Sequence, residues 1–317
     1  MDNKIVVDII EQKILELDEK ILKILLKDRT TNKNIIWATD DYKQYGIQYK
    51  AENQIKVNLI TGNYTKIIQP RVTKNKKNQS LRTRDKAEVF TPSWICNQQN
   101  NLIDESWFGR KVVFNIEKNK KWKTIEEKVV FPENKTWKDY ILTQRLEITC
   151  GEAPYLASRY DTVSGKKINV KDRIGLLDRK LRIISENIND QKKWILWAKK
   201  AYQSIYGFEY QGDNLLLARE NLLYTFIESY YYKFAEYPLE KDIKSIATII
   251  SWNIWQMDGI TFEVPYCARE ALYQQLNLFE DFSFTNLERK RIYCVIKDWT
   301  KKENNLILFK EMIGGNR

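Results

Sequence analysis

Two short stretches limit the folds open to this chain. "RLEITCGEAPYLASRYD" (145–161) runs from an apolar strand-like stretch into an acid, Glu147, and then a Cys150–Gly151 turn. "IYGFEYQGDNLLLARENLL" (205–223) runs from a short strand into Glu209 and then a helical stretch. A parallel strand ending in an acid and a glycine turn delivers its carboxylate to the carboxyl edge of the sheet, where ligands of open α/β sheets bind. Gly151 lets the backbone approach a ligand with no side chain between, and a helix directly after the turn would aim its amide N–H groups there. From residue 138 onward strand and helix patterns alternate, which predicts βαβ units and a parallel sheet. Glu147 and Glu209 would then face one crevice from adjacent strands, and an acid closing the second strand is suited to gripping two ribose hydroxyls.

Helices are expected at 172–184, 190–204, 213–234 and 239–256, the third opening with Asp213 as its N-cap. Tyr230, Phe234 and Tyr237 recur at helical spacing, a stripe that reads as core. Residues 3–28 place Ile10, Ile14, Leu17, Ile21 and Leu25 on one face of an amphipathic helix, a docking surface for a partner or for the rest of the fold. Residues 35–70 read as short strands broken by "TDDYKQYG" and "TGNY". The basic stretch 71–86 reads as an exposed, mobile connector.

The chain carries 53 Lys and Arg against 42 Asp and Glu, and the excess is uneven. Residues 71–86, 117–123 and 288–302 are basic patches that suit a polyanionic partner or a solvated surface, with Arg71, Lys74, Lys76, Lys77, Arg82 and Arg84 the candidate phosphate contacts. There is no His, and Cys96, Cys150, Cys267 and Cys294 are widely separated. Zinc sites of ordinary spacing and His-dependent triads are therefore excluded, and no metal is expected. Scattered thiols without a signal peptide point to the reducing cytoplasm, and no apolar run approaches a membrane span.

Four elements together resemble the S-adenosylmethionine-dependent DNA adenine-N6 methyltransferases of restriction–modification systems, most of all their M-subunit and fused types. The family's glycine-turn motif is matched by Glu147, Cys150, Gly151 and Tyr155-Leu156, with Glu152 in place of a serine and Ala153 in place of the second glycine. Its ribose motif is matched by Tyr206-Gly207-Phe208-Glu209 and Leu217-Ala218-Arg219-Glu220-Asn221-Leu222. An upstream Phe-Thr-Pro is matched by Phe90, Thr91 and Pro92, and "CVIKDW" (294–299) resembles the strand whose terminal acid, here Asp298, reads the cofactor adenine. The resemblance covers roughly 88–110, 140–160 and 200–300. It implies a cofactor site in which Glu147 opposes the methionine amino group, Glu209 the ribose hydroxyls and Asp298 the adenine amino group.

The fold it implies is α/β: a partial Rossmann-like methyltransferase sheet of parallel strands with flanking helices, in residues 88–317. An N-terminal helix, a small β-containing region and the basic connector would occupy 1–87. The family's catalytic loop, an Asn/Asp/Ser-Pro-Pro-aromatic run that orients a flipped adenine, is missing: the six prolines include no adjacent pair. The chain is thus expected to be truncated before that loop, with 251–259 ("SWNIWQMDG") and 262–266 ("FEVPY") as candidate substitutes. Two functions follow from the resemblance. One is a methyltransferase subunit acting on DNA, with a protein partner supplying the loop. The other is a catalytically inactive DNA- or partner-binding regulatory or assembly protein. Methylation of RNA or protein is a third possibility.

Overall fold

The computed structural model describes residues 11–74, 76–86, 88, 91–267 and 291–313. The N-terminal amphipathic stretch forms two helices rather than one, α1 (Glu11–Leu17) and α2 (Glu19–Leu26). Asp18 divides them. Its backbone is extended, its carboxylate accepts from the Lys20 amide at 2.7 Å, and it ion-pairs with Lys244. Ile14, Ile21 and Leu25 are buried as expected, but the break turns Leu17 out to solvent; Ile10 lies outside the described residues.

The expected strands over 35–70 do not form. That segment makes an isolated bridge between Ile36 and Gln54 and a series of short 3₁₀ turns around Trp37, Tyr42 and Tyr49. Side chains take over backbone donors that a ladder would use: Asp40 accepts from the Ala51 amide and Gln54 from the Asn34 amide. The basic stretch is likewise no open connector, for it folds as helix α3 (Lys76–Lys86).

Helix α4 (Ser93–Phe108) follows, then an antiparallel hairpin of β1 (Asn115–Lys118) and β2 (Lys121–Thr124), and a short helix α5 (Trp137–Leu142). The parallel sheet then begins with β3 (Arg145–Glu147). Helices α6 (Leu176–Asn187) and α7 (Gln191–Gln203) lead to β4 (Ile205–Glu209), and α8 (Gly212–Phe234) and α9 (Glu240–Asn253) lead to β5 (Ile254–Gln256). The strand order is β3-β4-β5, all parallel, with Glu147 opposite Gly207 and Glu209 opposite Gln256.

The chain is therefore mixed α/β with a three-stranded parallel sheet, and its third strand comes from residues expected to continue a helix. Asn253 ends that helix by donating to the carbonyls of Tyr202 and Ile205 at 2.9 Å each, and Ile254 and Trp255 bury opposite faces of the sheet. Strand β6 (Val295–Lys297) does not join this sheet. It pairs antiparallel with β7 (Leu306–Leu308), and helix α10 (Phe309–Ile313) follows.

One face of the sheet, with Ile205 and Ile254, belongs to a large core that also takes in Leu22, Leu25, Trp37, Leu176, Leu215, Leu222 and Phe226. That core includes residues from both sides of position 87. The opposite face, with Phe208 and Trp255, packs on Cys294, Ile296 and Phe309. Trp194 carries Tyr230 and Phe234 in edge contacts at 5.5 and 6.0 Å, so two members of the aromatic stripe are core, whereas Tyr237 is exposed. Among the described residues no helix is long and apolar enough to cross a membrane.

Candidate functional site

At the carboxyl ends of β3 and β4 lies a cleft of about 710 Å³, within the usual range for small-molecule sites. Its walls include Glu147, Cys150, Gly151, Tyr155, Glu209 and Thr91, six of the nine residues assigned from sequence to a cofactor. The other three are not among the residues lining it. Pro92 caps the start of α4, Phe90 lies outside the described residues, and Asp298 is on the β6–β7 hairpin. There Asp298 accepts from the Thr300 amide at 2.9 Å and its hydroxyl at 2.6 Å, and pairs with Lys301 at 3.5 Å. The expectation that a strand ending in Asp298 brings this acid to the cofactor site is corrected: the third strand of the parallel sheet is β5, while β6 has β7 as its partner.

The turn after Glu147 is built by alternating backbone handedness. Thr149, Gly151 and Ala153 all adopt left-handed conformations, with φ of 48°, 54° and 60°. Only glycine takes such values without steric cost, so Ala153 holds a conformation in which its methyl is disfavoured. No helix follows directly, contrary to expectation. The chain runs irregularly to Gly175, where α6 begins, and the Leu176 and Leu177 amides donate back to the carbonyls of Tyr155 and Leu156 at 2.8 and 2.9 Å. A Cβ at Gly175 would lie 2.3 Å from the Leu156 oxygen, so this close approach requires glycine.

Both glutamates are buried and tied to the turn. Glu147 accepts from the amides of Tyr155 and Leu156 at 3.3 and 3.2 Å. Glu209 accepts from the Gly151 amide at 2.9 Å with one oxygen, and from Tyr210 and Gln211 with the other. Burial is the largest influence on each and favours the neutral acid. It pushes Glu147 up to about 8 despite its two amide donors, with the nearby Glu209 adding to the rise. Glu209 is raised as well, again by burial. Two carboxyls whose charge is held back by desolvation form a site suited to a cation or to paired hydroxyl donors.

Several positions at or near the cleft were not legible as such in the sequence. Glu152, which replaces a small polar residue in the turn motif, is buried and is not among the residues lining the cleft. It accepts from the Arg71 amide at 2.7 Å and from the Tyr160 hydroxyl, and Asn221 binds both its carbonyl and that hydroxyl. Glu88, Asn100, Gln211 and Asn214 line the cleft. Glu88 directly precedes the Val-Phe-Thr-Pro run, the one hint the sequence offered.

Three of the six cations named from the basic segment prove to be internal counter-ions. Arg82, only 4% exposed, pairs with Glu88 at 2.5 Å, Asp41 at 2.7 Å and Asp213 at 2.9 Å. Lys74 lies 3.3 Å from Asp213, and Arg71 lies 3.6 Å from Glu88. Asp213 is not the N-cap of α8, which is Gln211; it is a fully buried acid that also accepts from the Tyr42 hydroxyl at 2.7 Å. Although burial alone would raise it, Arg82 and Lys74 hold its carboxyl well below the usual carboxylate range. Arg71, Lys74 and Arg82 are therefore withdrawn as a phosphate-contacting row, since buried acids already neutralise them. Lys76 and Arg84 are exposed on α3, which also carries Lys77.

Neither candidate for a relocated catalytic loop reaches the cleft. Residues 251–259 end α9 and form β5, while 262–266 bridge to Tyr293 beside β6. The chain matches no protein-family model, no curated protein and no solved structure.

Proposed function

We propose that this chain binds S-adenosylmethionine in the cleft at the ends of β3 and β4, as an M-subunit-like component of a restriction–modification or related DNA defence system acting at adenine N6. In this reading the parallel sheet is a partial Rossmann-like methyltransferase sheet. The observation that carries the proposal is the convergence of two buried glutamates, from adjacent parallel strands, on one cavity beside a left-handed glycine turn. The residues present fit the cofactor: carboxylates that have no cationic partner among the described residues suit its amino group and ribose hydroxyls, and the apolar side chains of Leu146, Ile148 and Leu156 offer surface for its uncharged parts. Glu147 would oppose the amino group and Glu209 the ribose hydroxyls, with Thr91, Gly151 and Tyr155 completing the wall.

Once bound, the cofactor supplies an electrophilic methyl group. The chain's own contribution is to hold and orient it, and to keep Glu147 short of charge until a cation arrives. A base-binding loop would come from a protein partner, since no described residue at the cleft belongs to a Pro-Pro-aromatic motif. The same observation favours a second reading, a donor-binding regulatory or assembly chain without catalysis. Four buried cysteines with no disulfide support an intracellular setting.

Calorimetry with S-adenosylmethionine tests binding, and transfer of labelled methyl groups to mixed DNA, alone and with the products of neighbouring genes, tests the reaction. Binding with no transfer in any combination selects the second reading, and absence of binding defeats both.

A further inference from the structure

Arg71, Lys74 and Arg82 of the 71–86 segment are taken up by buried acids; a second basic patch lies on the β1–β2 hairpin. Its two faces differ sharply. Cross-strand partners share a face, so the register Asn115–Thr124 and Glu117–Trp122 defines one side, and Ile116–Lys123 and Lys118–Lys121 the other. The first side is bound to the body of the protein. Asn115 exchanges hydrogen bonds with Asn97 at 2.8 and 3.0 Å, and Glu117 accepts from Asn97 and Asn101 at 2.9 and 2.6 Å. The Trp122 indole donates to the Asp172 carbonyl and the Thr124 hydroxyl to its carboxylate. The hairpin's one acid is thus drawn onto α4, and the ribbon is fixed on the fold.

The second side is open. It presents Lys118, Lys121 and Lys123, all exposed, and among the described residues no carboxylate lies within ion-pair distance of any of them. The connection is a tight two-residue turn, Asn119 and Lys120, both left-handed at φ 52° and 59°, with the Lys120 amine 5.1 Å from the centre of the Trp94 ring. Exposed Lys166 and Lys167 follow Asp161, whose carboxylate accepts from the Ser93 amide at 2.7 Å, two residues from cleft-lining Thr91. Helix α4 joins the two sites, holding the ribbon through Asn97 and Asn101 and lining the cleft through Asn100 and Ile103.

We propose that the outer face of the β1–β2 ribbon, Lys118, Lys121 and Lys123, is a nucleic-acid docking surface that grips the phosphate backbone of a duplex beside the cleft. Lys121 and Lys123 are two residues apart on one strand, about 6.6 Å, so each can meet its own phosphate. Lysines bind phosphates as point charges, so the grip positions a duplex without reading its sequence. A face built for lipid would intersperse apolar residues among its cations, and here Ile116 stands alone. The charge argument is independent of the cofactor; the choice of a duplex as the polyanion rests on reading the adjoining cleft as a methyl-donor site.

The test is the salt dependence of binding of the full chain to a short fluorescent duplex, comparing wild type with a combined Lys118→Ala, Lys121→Ala, Lys123→Ala variant. Each phosphate contact contributes about 0.9 to the slope of log affinity against log salt, so the triple variant should lose about 2.7 from it. Between about 50 and 200 mM salt, its affinity should therefore fall about 40-fold less than that of the wild type. The corresponding triple arginine variant should keep the wild-type slope, which separates charge from any effect on folding. An unchanged slope in the alanine variant overturns the proposal. So does a wild type that binds anionic vesicles but no duplex. Calorimetry with S-adenosylmethionine on the same samples keeps the readings apart. Duplex binding through the ribbon without cofactor binding removes the methyl-donor site and leaves the ribbon; the converse does the reverse.

Discussion

Replacing Arg82 by leucine should cost about 3–5 kcal/mol of stability at neutral pH, the range for stripping one partner from a buried ion pair. The guanidinium sits within ion-pair distance of three acids, of which Asp213 and Glu88 are both buried. Lys74, 3.3 Å from Asp213, is left as a partner of that acid, which places the loss in the lower half of that range. The pH dependence carries a distinct signature. In the wild type Asp213 is held below its ordinary value, so its stabilisation is present above about 4 and is lost as pH falls through the lower folded value. Without Arg82, burial favours the protonated form of Asp213, and acidification relieves it. The gap between variant and wild type should therefore shrink between pH 7 and about pH 4.5. Urea unfolding followed by tryptophan fluorescence at both pH values, with matching slopes, measures this. A loss under about 1 kcal/mol at pH 7, together with a weakened salt dependence of duplex binding, would show Arg82 to be a phosphate contact after all.

Three further outcomes follow from the cleft. With Glu147 raised to about 8, a cationic ligand should bind more tightly as pH rises from 6 to 8, by up to tenfold per unit, and then level off. Calorimetry in buffers of different ionisation heat should register proton release over the same interval, and a flat profile would detach Glu147 from the ligand. Glu209→Ala should weaken S-adenosylmethionine binding by about 1–3 kcal/mol, the cost of losing charge-assisted hydrogen bonds, and unchanged affinity would remove Glu209 from the site. Gly175→Ala forces a Cβ against the Leu156 carbonyl, and thermal unfolding should show destabilisation of about 2 kcal/mol or more.

Local pattern carried the parts of this protein that depend on neighbours in the chain. The strands ending in Glu147 and Glu209, the glycine turn, and helices α6 to α8 were legible because apolar periodicity and a glycine at a left-handed position act over a few residues. Even the shared cleft was foreseeable, since adjacent parallel strands bring their carboxyl ends to one edge. Tertiary contacts decided the rest. Whether 254–256 continued a helix or paired with β4 turned on an open position beside Phe208 and Glu209, which no local propensity encodes. Whether Asp298 faced a ligand turned on β6 finding β7 instead of the sheet. The basic run and the lysine hairpin look alike as charge strings. Asp41, Glu88 and Asp213 lie up to 131 residues from Arg82, and folding brings them onto the first string while leaving the outer face of the second bare. Charge is written in the sequence, but its neutralisation depends on distance, and distance belongs to the fold.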